Sequence, residues 1–204
     1  MAESSTSVAA LASQICNQIS SVFTKSLTSG GIKSAMDVMV EEIAAVANQK
    51  GRIFVYGVGR EGLMLKALCM RLFHLGLSAH CVFDMTTPPI SSPDLLIASA
   101  GPGGFSTVDA ICGVAKSNGA RVLLLTAQPD SGSSSAKHSS VIAHIPAQTM
   151  ADDEKVGERR RPLLPMGSLY EGAMFVLFEM VVFKLAEVLV ESPEAVRARH
   201  TNLE

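Results

Sequence analysis

Five short apolar runs separated by helix-period segments restrict the fold of this chain more than any other feature. The runs are Arg52–Tyr56, Ala79–Phe83, Asp94–Ser99, Arg121–Thr126 and Val141–Ile145. Residues 62–75 read as a helix closed by Gly76, and residues 106–118 as one stopped by Gly119. Strands that alternate with helices predict a parallel, doubly wound sheet with right-handed crossovers. In such sheets ligands bind beyond the carboxyl ends of the strands. The loops after Tyr56, Phe83, Ser99 and Thr126 are therefore where chemistry is expected.

The rest of the chain fits around that unit. Residues 8–29 and 32–49 carry apolar side chains at helical spacing, with Gly30-Gly31 between them, and Val38, Ile43, Val46 and Ala47 give the second helix its stripe. A long helix over 168–190 and a short one beginning at Ser192-Pro193 end the chain, with Ser192 as N-cap and Pro193 at the first helical position. The mixed-charge run Ala151–Arg161, followed by Pro162, reads as a solvated loop or flap. One domain over 1–204 is expected: N-terminal helices (1–50), sheet core (51–146), charged loop (147–167), and C-terminal helices with tail (168–204).

Composition excludes several classes. The 204 residues are 48% hydrophobic but only 5% aromatic, which suits Val, Leu, Ile and Ala strands sandwiched between helices. A formal charge of −2 gives no general attraction for nucleic acid or for an anionic membrane. The most apolar stretch, Leu169–Val190, is interrupted by Glu171, Glu179, Lys184 and Glu187, which a membrane span would not tolerate. Cys16, Cys69, Cys81 and Cys112 show no CxxC pair and no His at metal spacing, so buried thiols in a reducing, cytoplasmic setting are expected. The N-terminus lacks a secretory pattern, and its Ser-rich opening is a poor transit peptide.

Two glycine-rich loops follow strands. The first, Gly57-Val58-Gly59-Arg60-Glu61-Gly62, fits GxGxxG, and Asp84 follows the second strand as a ribose-binding acid would. Against a dinucleotide site, Glu61 puts a negative charge at the helix N-terminus, and two helices precede the first strand. A glycine turn that only lets the chain pivot explains the same residues. The second loop, Ser99 to Thr107, brings hydroxyls and backbone N–H groups to a helix start, where an anion can bind, or where Ser106 simply acts as N-cap.

Jointly with Met70-Arg-Leu-Phe-His74-Leu-Gly76, Thr86-Thr-Pro-Pro-Ile90, Asp94-Leu-Leu-Ile97, Pro165-Met-Gly-Ser-Leu-Tyr-Glu171 and Arg199-His200-Thr-Asn-Leu-Glu204, the first loop resembles the 6-phospho-3-hexuloisomerases of the sugar isomerase (SIS) domain family. The resemblance implies a three-layer, flavodoxin-like α/β/α sandwich with five parallel strands, assembled as a homo-oligomer (dimer or tetramer). It implies a phosphosugar isomerase that interconverts a 3-hexulose 6-phosphate and fructose 6-phosphate through an enediol, with no metal and no organic cofactor. Such chemistry needs a base, a group that stabilises the developing oxyanion, and a grip on phosphate.

Carried onto this sequence, the resemblance makes Glu171 the base. Ser168-Leu-Tyr-Glu171 also fits a capping box, in which Glu171 reaches back to the N-cap N–H, and both roles stay open. His200 belongs to a tail motif that covers a neighbouring subunit's site and assists proton transfer or ring opening. Expected substrate contacts are Gly57, Gly59, Arg60, Thr86, Thr87, Ser99, Gly101, Ser106 and Thr107, while His74 reads as a packed helix residue. The loops depart from the family where it has a Ser after the arginine and a Ser-Gly-Ser-Gly-Glu-Thr type loop. Glu61 and Pro102 stand there instead, and a carboxylate at 61 would repel phosphate unless Arg60 or Arg159 neutralised it. The alternative is a sugar-phosphate-binding SIS protein, a sensor or scaffold, that has lost catalysis.

Overall fold

A computed structural model describes residues 7–26, 33–155 and 163–203. Two helices, α1 (Val8–Ser26) and α2 (Ala35–Asn48), precede the first strand. The chain then runs β1 (Ile53–Gly57), α3 (Gly59–His74), β2 (Ala79–Cys81), β3 (Leu95–Ser99), α4 (Ser106–Ser117), β4 (Arg121–Thr126), α5 (Ser134–His138) and β5 (Val141–His144). A 3₁₀ turn (Met150–Lys155), α6 (Ser168–Val188) and α7 (Pro193–Ala198) follow. All four strand pairings are parallel, in the order β2-β1-β3-β4-β5, so the expected five-stranded α/β/α sandwich is present.

The strands form because their residues suit burial on both faces. Ile53, Val55, Leu95, Ile97, Leu123 and Leu125 face a core shared with α2, α3 and α6. Phe54, Leu96, Ala98, Val122 and Leu124 face the opposite core, which Val108, Cys112 and Ala115 of α4 complete. Alpha helices α3 and α4 thus leave neighbouring strands β1 and β3 toward opposite faces, which opens a crevice between the carboxyl ends of those strands.

Several boundaries differ from the sequence expectation. Ser34 caps α2 by accepting from the Asp37 N–H, which starts the helix three residues late. Short α5 was not foreseen; Ser133 caps it and its five residues are too few to show a period. The charged run begins with the 3₁₀ turn, and its remainder, Arg159 included, lies outside the described residues. Cys69 and Cys112 are buried as expected, but Cys81 is half-buried and Cys16 is exposed on α1, and all four are free. Among the described residues no helix is long and apolar enough to cross a membrane.

Below the sheet, one buried carboxylate fastens β1 to β3. Asp94 is 2% exposed and accepts from Arg52 N (2.8 Å), Arg52 Nη2 (2.8 Å), Arg52 Nε (3.2 Å) and Ser91 N (2.9 Å). Burial pushes its carboxyl upward, but the bonds from Arg52 and Ser91 outweigh that and hold it below the usual range. Its stabilisation is therefore fully present above the unfolded aspartate value of about 3.9 and is lost as pH falls through the lower folded value. D94N is expected to cost about 2–3 kcal/mol at neutral pH, because it leaves buried donors poorly matched. Urea midpoints of both proteins between neutral pH and pH of about 3 should converge toward the acid end; equal midpoints at neutral pH would contradict this role.

Candidate active site

The crevice between β1 and β3 is built by glycines before any charged residue enters it. Gly57 and Ser99 are direct partners in the β1–β3 register. A Cβ on Gly62 would sit 2.4 Å from the Gly57 carbonyl oxygen, so only glycine lets α3 begin this close to its strand. Gly59 turns the chain with φ 58°, and Arg60 and Glu61 fall in the first turn of α3.

Glu61 points inward and is 6% exposed. Its Oε2 accepts from Ser99 Oγ (2.6 Å) and from Gly101 N (3.0 Å), and Oε1 is 3.3 Å from the same N–H. Ser99 Oγ in turn lies 3.3 Å from the hydroxyl of fully buried Tyr170. A Cβ on Gly101 would come within 3.0 Å of Glu61 Oε1 and 2.9 Å of Tyr170 Cε1, so this loop position is closed to any side chain. Burial drives the Glu61 carboxyl up, and the bonds from Ser99 and Gly101 partly oppose it. The expected face-on clash between Glu61 and a ligand is thus replaced by a carboxylate turned into the β3–α4 loop.

Arg60 points outward and joins α3 to α6. Its Nη1 donates to Ser168 Oγ (2.8 Å), its Nη2 donates to the Met166 carbonyl, and Nη2 lies 3.1 Å from Glu171 Oε2. That ion pair lacks hydrogen-bond alignment, and Glu171 Oε2 is a buried oxygen with no hydrogen-bond partner. No capping box forms here. The N-cap is Gly167 in the left-handed region (φ 80°), with no side-chain cap, and Ser168 is turned toward Arg60 instead. Burial raises the Glu171 carboxyl, Arg60 lowers it, and the charge of Glu61 raises it again. A mostly buried carboxylate with one oxygen lacking a hydrogen bond, one cation and a second acid nearby is held above the usual carboxylate range and is suited to accept a proton.

Ser106 and Thr107 open α4 with exposed side chains, and the N-cap Phe105 offers the helix no side-chain bond. The first N–H groups of α4 therefore lack a side-chain cap at the same strand ends. Thr86 and Thr87 lie on the other side of β1, in the loop after edge strand β2, where Thr86 is exposed and Thr87 Oγ1 donates to the Cys81 carbonyl (2.7 Å). A cavity of about 190 Å³ lies on that side, lined by Tyr56, Gly57, Lys66 and Asp84 among others. An apolar cleft of about 160 Å³ between α1, α2 and α6 is remote from these polar groups.

His200 is held at the opposite end of α3. Its ring stacks on His74 at 5.3 Å, and Arg199 fixes the tail by donating to the His74 carbonyl and to Glu191. His74 ends the helix that Arg60 begins, and fourteen residues of α-helix span about 21 Å. The structure therefore brings Gly57, Gly59, Arg60, Ser99, Gly101 and Glu171 to one crevice and keeps His200 away from it within one chain. Sequence reasoning missed Tyr170 and Ser168 as parts of the site; only the unusual Ser168-Leu-Tyr-Glu171 run hinted at them. Among the described residues no three His, Cys, Asp or Glu side chains gather as a metal site.

No protein-family model matches the chain. It is 38% identical over 174 residues to a 3-hexulose-6-phosphate isomerase of Mycobacterium gastri, covering 84% of each chain. It is 35% identical over 153 residues to the 3-hexulose-6-phosphate isomerase of Bacillus subtilis, covering 75% of this chain and 80% of the other. A crystal structure of a Methanococcus jannaschii protein, for which a molecular function of 3-hexulose-6-phosphate isomerase is inferred, shares the fold with TM-score 0.72. That match has 24% identity and covers 93% of this chain and 97% of the other.

The electrostatics of Glu171 can be read directly by NMR titration of ¹³C-labelled glutamate carboxyls, with E171Q assigning the resonance. Its midpoint should lie above the ordinary glutamate value, rise further in R60Q and fall in E61Q. A midpoint that R60Q leaves unmoved would show that Arg60 does not face this carboxylate in solution.

Proposed function

The chain belongs to the 3-hexulose-6-phosphate isomerase family, and on that premise we propose that it interconverts a 3-hexulose 6-phosphate and fructose 6-phosphate. The observation that carries this reading is Glu171: a mostly buried carboxylate with one oxygen free of hydrogen bonds, at the strand ends of a parallel sheet, paired to a cation. Glu171 takes the proton from C2 of the 3-hexulose as the C3 carbonyl oxygen gains a proton, which leaves a C2–C3 enediol. The proton then returns to C3 while the C2 hydroxyl proton departs, which gives the 2-ketose. Atoms balance without a redox partner. Arg60 stabilises the developing oxyanion or the phosphate, and the start of α4 with Ser106 and Thr107 supplies the anion grip.

His200 completes the site of a second copy, since it cannot reach Glu171 of its own chain. Phe175, Phe183 and Val188 of α6 are each more than half exposed, and a patch of that kind on a helix face supports a homo-oligomer. The four free cysteines support a reducing cytoplasmic setting. No nucleic acid, membrane, metal or organic cofactor is assigned a part. A sugar-phosphate sensor without turnover remains distinguishable, because it would bind fructose 6-phosphate saturably and leave its carbon-bound protons in place.

E171Q is expected to lose about a thousandfold in kcat while it binds fructose 6-phosphate within a few-fold of the unmodified protein. Unchanged turnover would remove Glu171 as the base. Mixing E171Q with H200N and allowing subunits to exchange should restore about a quarter of full activity in a random dimer, because half of the mixed sites regain both groups. No restoration from an inactive H200N would show that His200 does not serve the site of a second copy.

A further inference from the structure

Arg60 and Glu61 are consecutive residues of α3, and Glu171 and Tyr170 are consecutive residues of α6. Arg60 meets Glu171 on the open side of the crevice, at 3.1 Å. Glu61 meets Tyr170 on the closed side, through Ser99 Oγ, which is 2.6 Å from Glu61 and 3.3 Å from Tyr170. The two helix starts are thus clasped by two rungs, of which only the inner one reaches the β3–α4 loop. From the β4 side that loop is held through its carbonyls, by Ala127 N donating to Gly101 (3.1 Å) and Ser131 Oγ donating to Gly103 (3.1 Å). Among the described residues no other acceptor receives the Gly101 N–H.

We propose that Glu61 is a positioning residue, a built-in anion that holds the β3–α4 loop and the start of α3 in the register that Arg60 and Glu171 need. The proposal rests on Glu171 as the base. An apolar side chain could fill the space but would leave a buried N–H without an acceptor, so the charge or its acceptor oxygens, rather than bulk, are what the loop requires. The side-chain-free position at Gly101 fits the same account, since any Cβ there would press on both Glu61 and Tyr170. One consequence concerns substrate recognition. Ser99 Oγ and Gly101 N are engaged by Glu61, so the phosphate of the substrate must be held by Arg60 and the start of α4, where Ser106 and Thr107 are exposed.

The test is chemical rescue of E61A by formate, read in two ways. In steady-state kinetics kcat should fall about a hundredfold with KM within about threefold, and formate should restore at least a tenfold share of kcat saturably. In hydrogen–deuterium exchange the 97–107 segment should exchange faster in E61A and slow again with formate. E61L, which fills the space without an acceptor, should lose kcat without rescue. If E61A does not fold, E61Q carries the test, with one acceptor oxygen in place of two and kcat lowered about tenfold. Retained kcat in E61A or E61Q, exchange of 97–107 unchanged in E61A, or a loss of kcat that formate leaves uncorrected would each overturn the proposal. Should the unmodified protein show no isomerisation at all, the Glu171 reading fails on its own, and the exchange arm still decides whether Glu61 holds the loop.

Discussion

A parallel sheet covered on both faces leaves polar side chains no place except the ends of its strands. Among the described residues the buried polar or charged ones are Glu61, Asp94, Ser99, Thr126, Ser135 and Thr149, and none lies within a strand's interior. Asp94 sits just before β3, while Ser99 and Thr126 end β3 and β4. The separation has a physical origin: strand interiors must be apolar on both sides, so backbone pairing alone satisfies their polar atoms. Structural electrostatics gather at the amino ends of the strands and chemical electrostatics at the carboxyl ends.

At the carboxyl ends the protein has two carboxylates of different character in one crevice, from α3 and α6. Glu61 is enclosed and its oxygens are occupied by donors, whereas Glu171 is partly exposed and keeps one oxygen, beside Arg60, without a hydrogen bond. Burial raises both, but only Glu171 has a cation beside it that can be drawn off by an incoming anion. A phosphorylated substrate that engages Arg60 would therefore weaken the pairing that lowers the Glu171 carboxyl and make it a stronger base once substrate is bound. Adjacent residues on α3 thus divide the work, one for the loop and one for the ligand.

The sheet was legible because β-branched and leucine-rich runs of five or six residues leave few other folds open. Local patterns failed where distant partners outweighed them. Ser168 and Glu171 have capping-box spacing, yet Arg60, more than a hundred residues earlier, takes the Ser168 hydroxyl, and Gly167 in the left-handed region becomes the cap. Glu61 looked like a charge facing the ligand because its partners Ser99 and Gly101 lie some forty residues away. His200 sits in a tail whose place depends on Arg199 bonding the end of α3, which no local signal announces. Even so, Arg60 and Glu171, drawn from motifs far apart in the chain, do meet in one crevice.

The central claim is that this crevice moves a proton between adjacent sugar carbons. Proton NMR of fructose 6-phosphate in deuterium oxide with catalytic amounts of the protein tests it most directly. The account expects the C3 proton signal to disappear as solvent deuterium enters through the enediol, and to persist when E171Q replaces the unmodified protein. A C3 proton that survives prolonged incubation with active-folded, fructose 6-phosphate-binding protein would contradict the account.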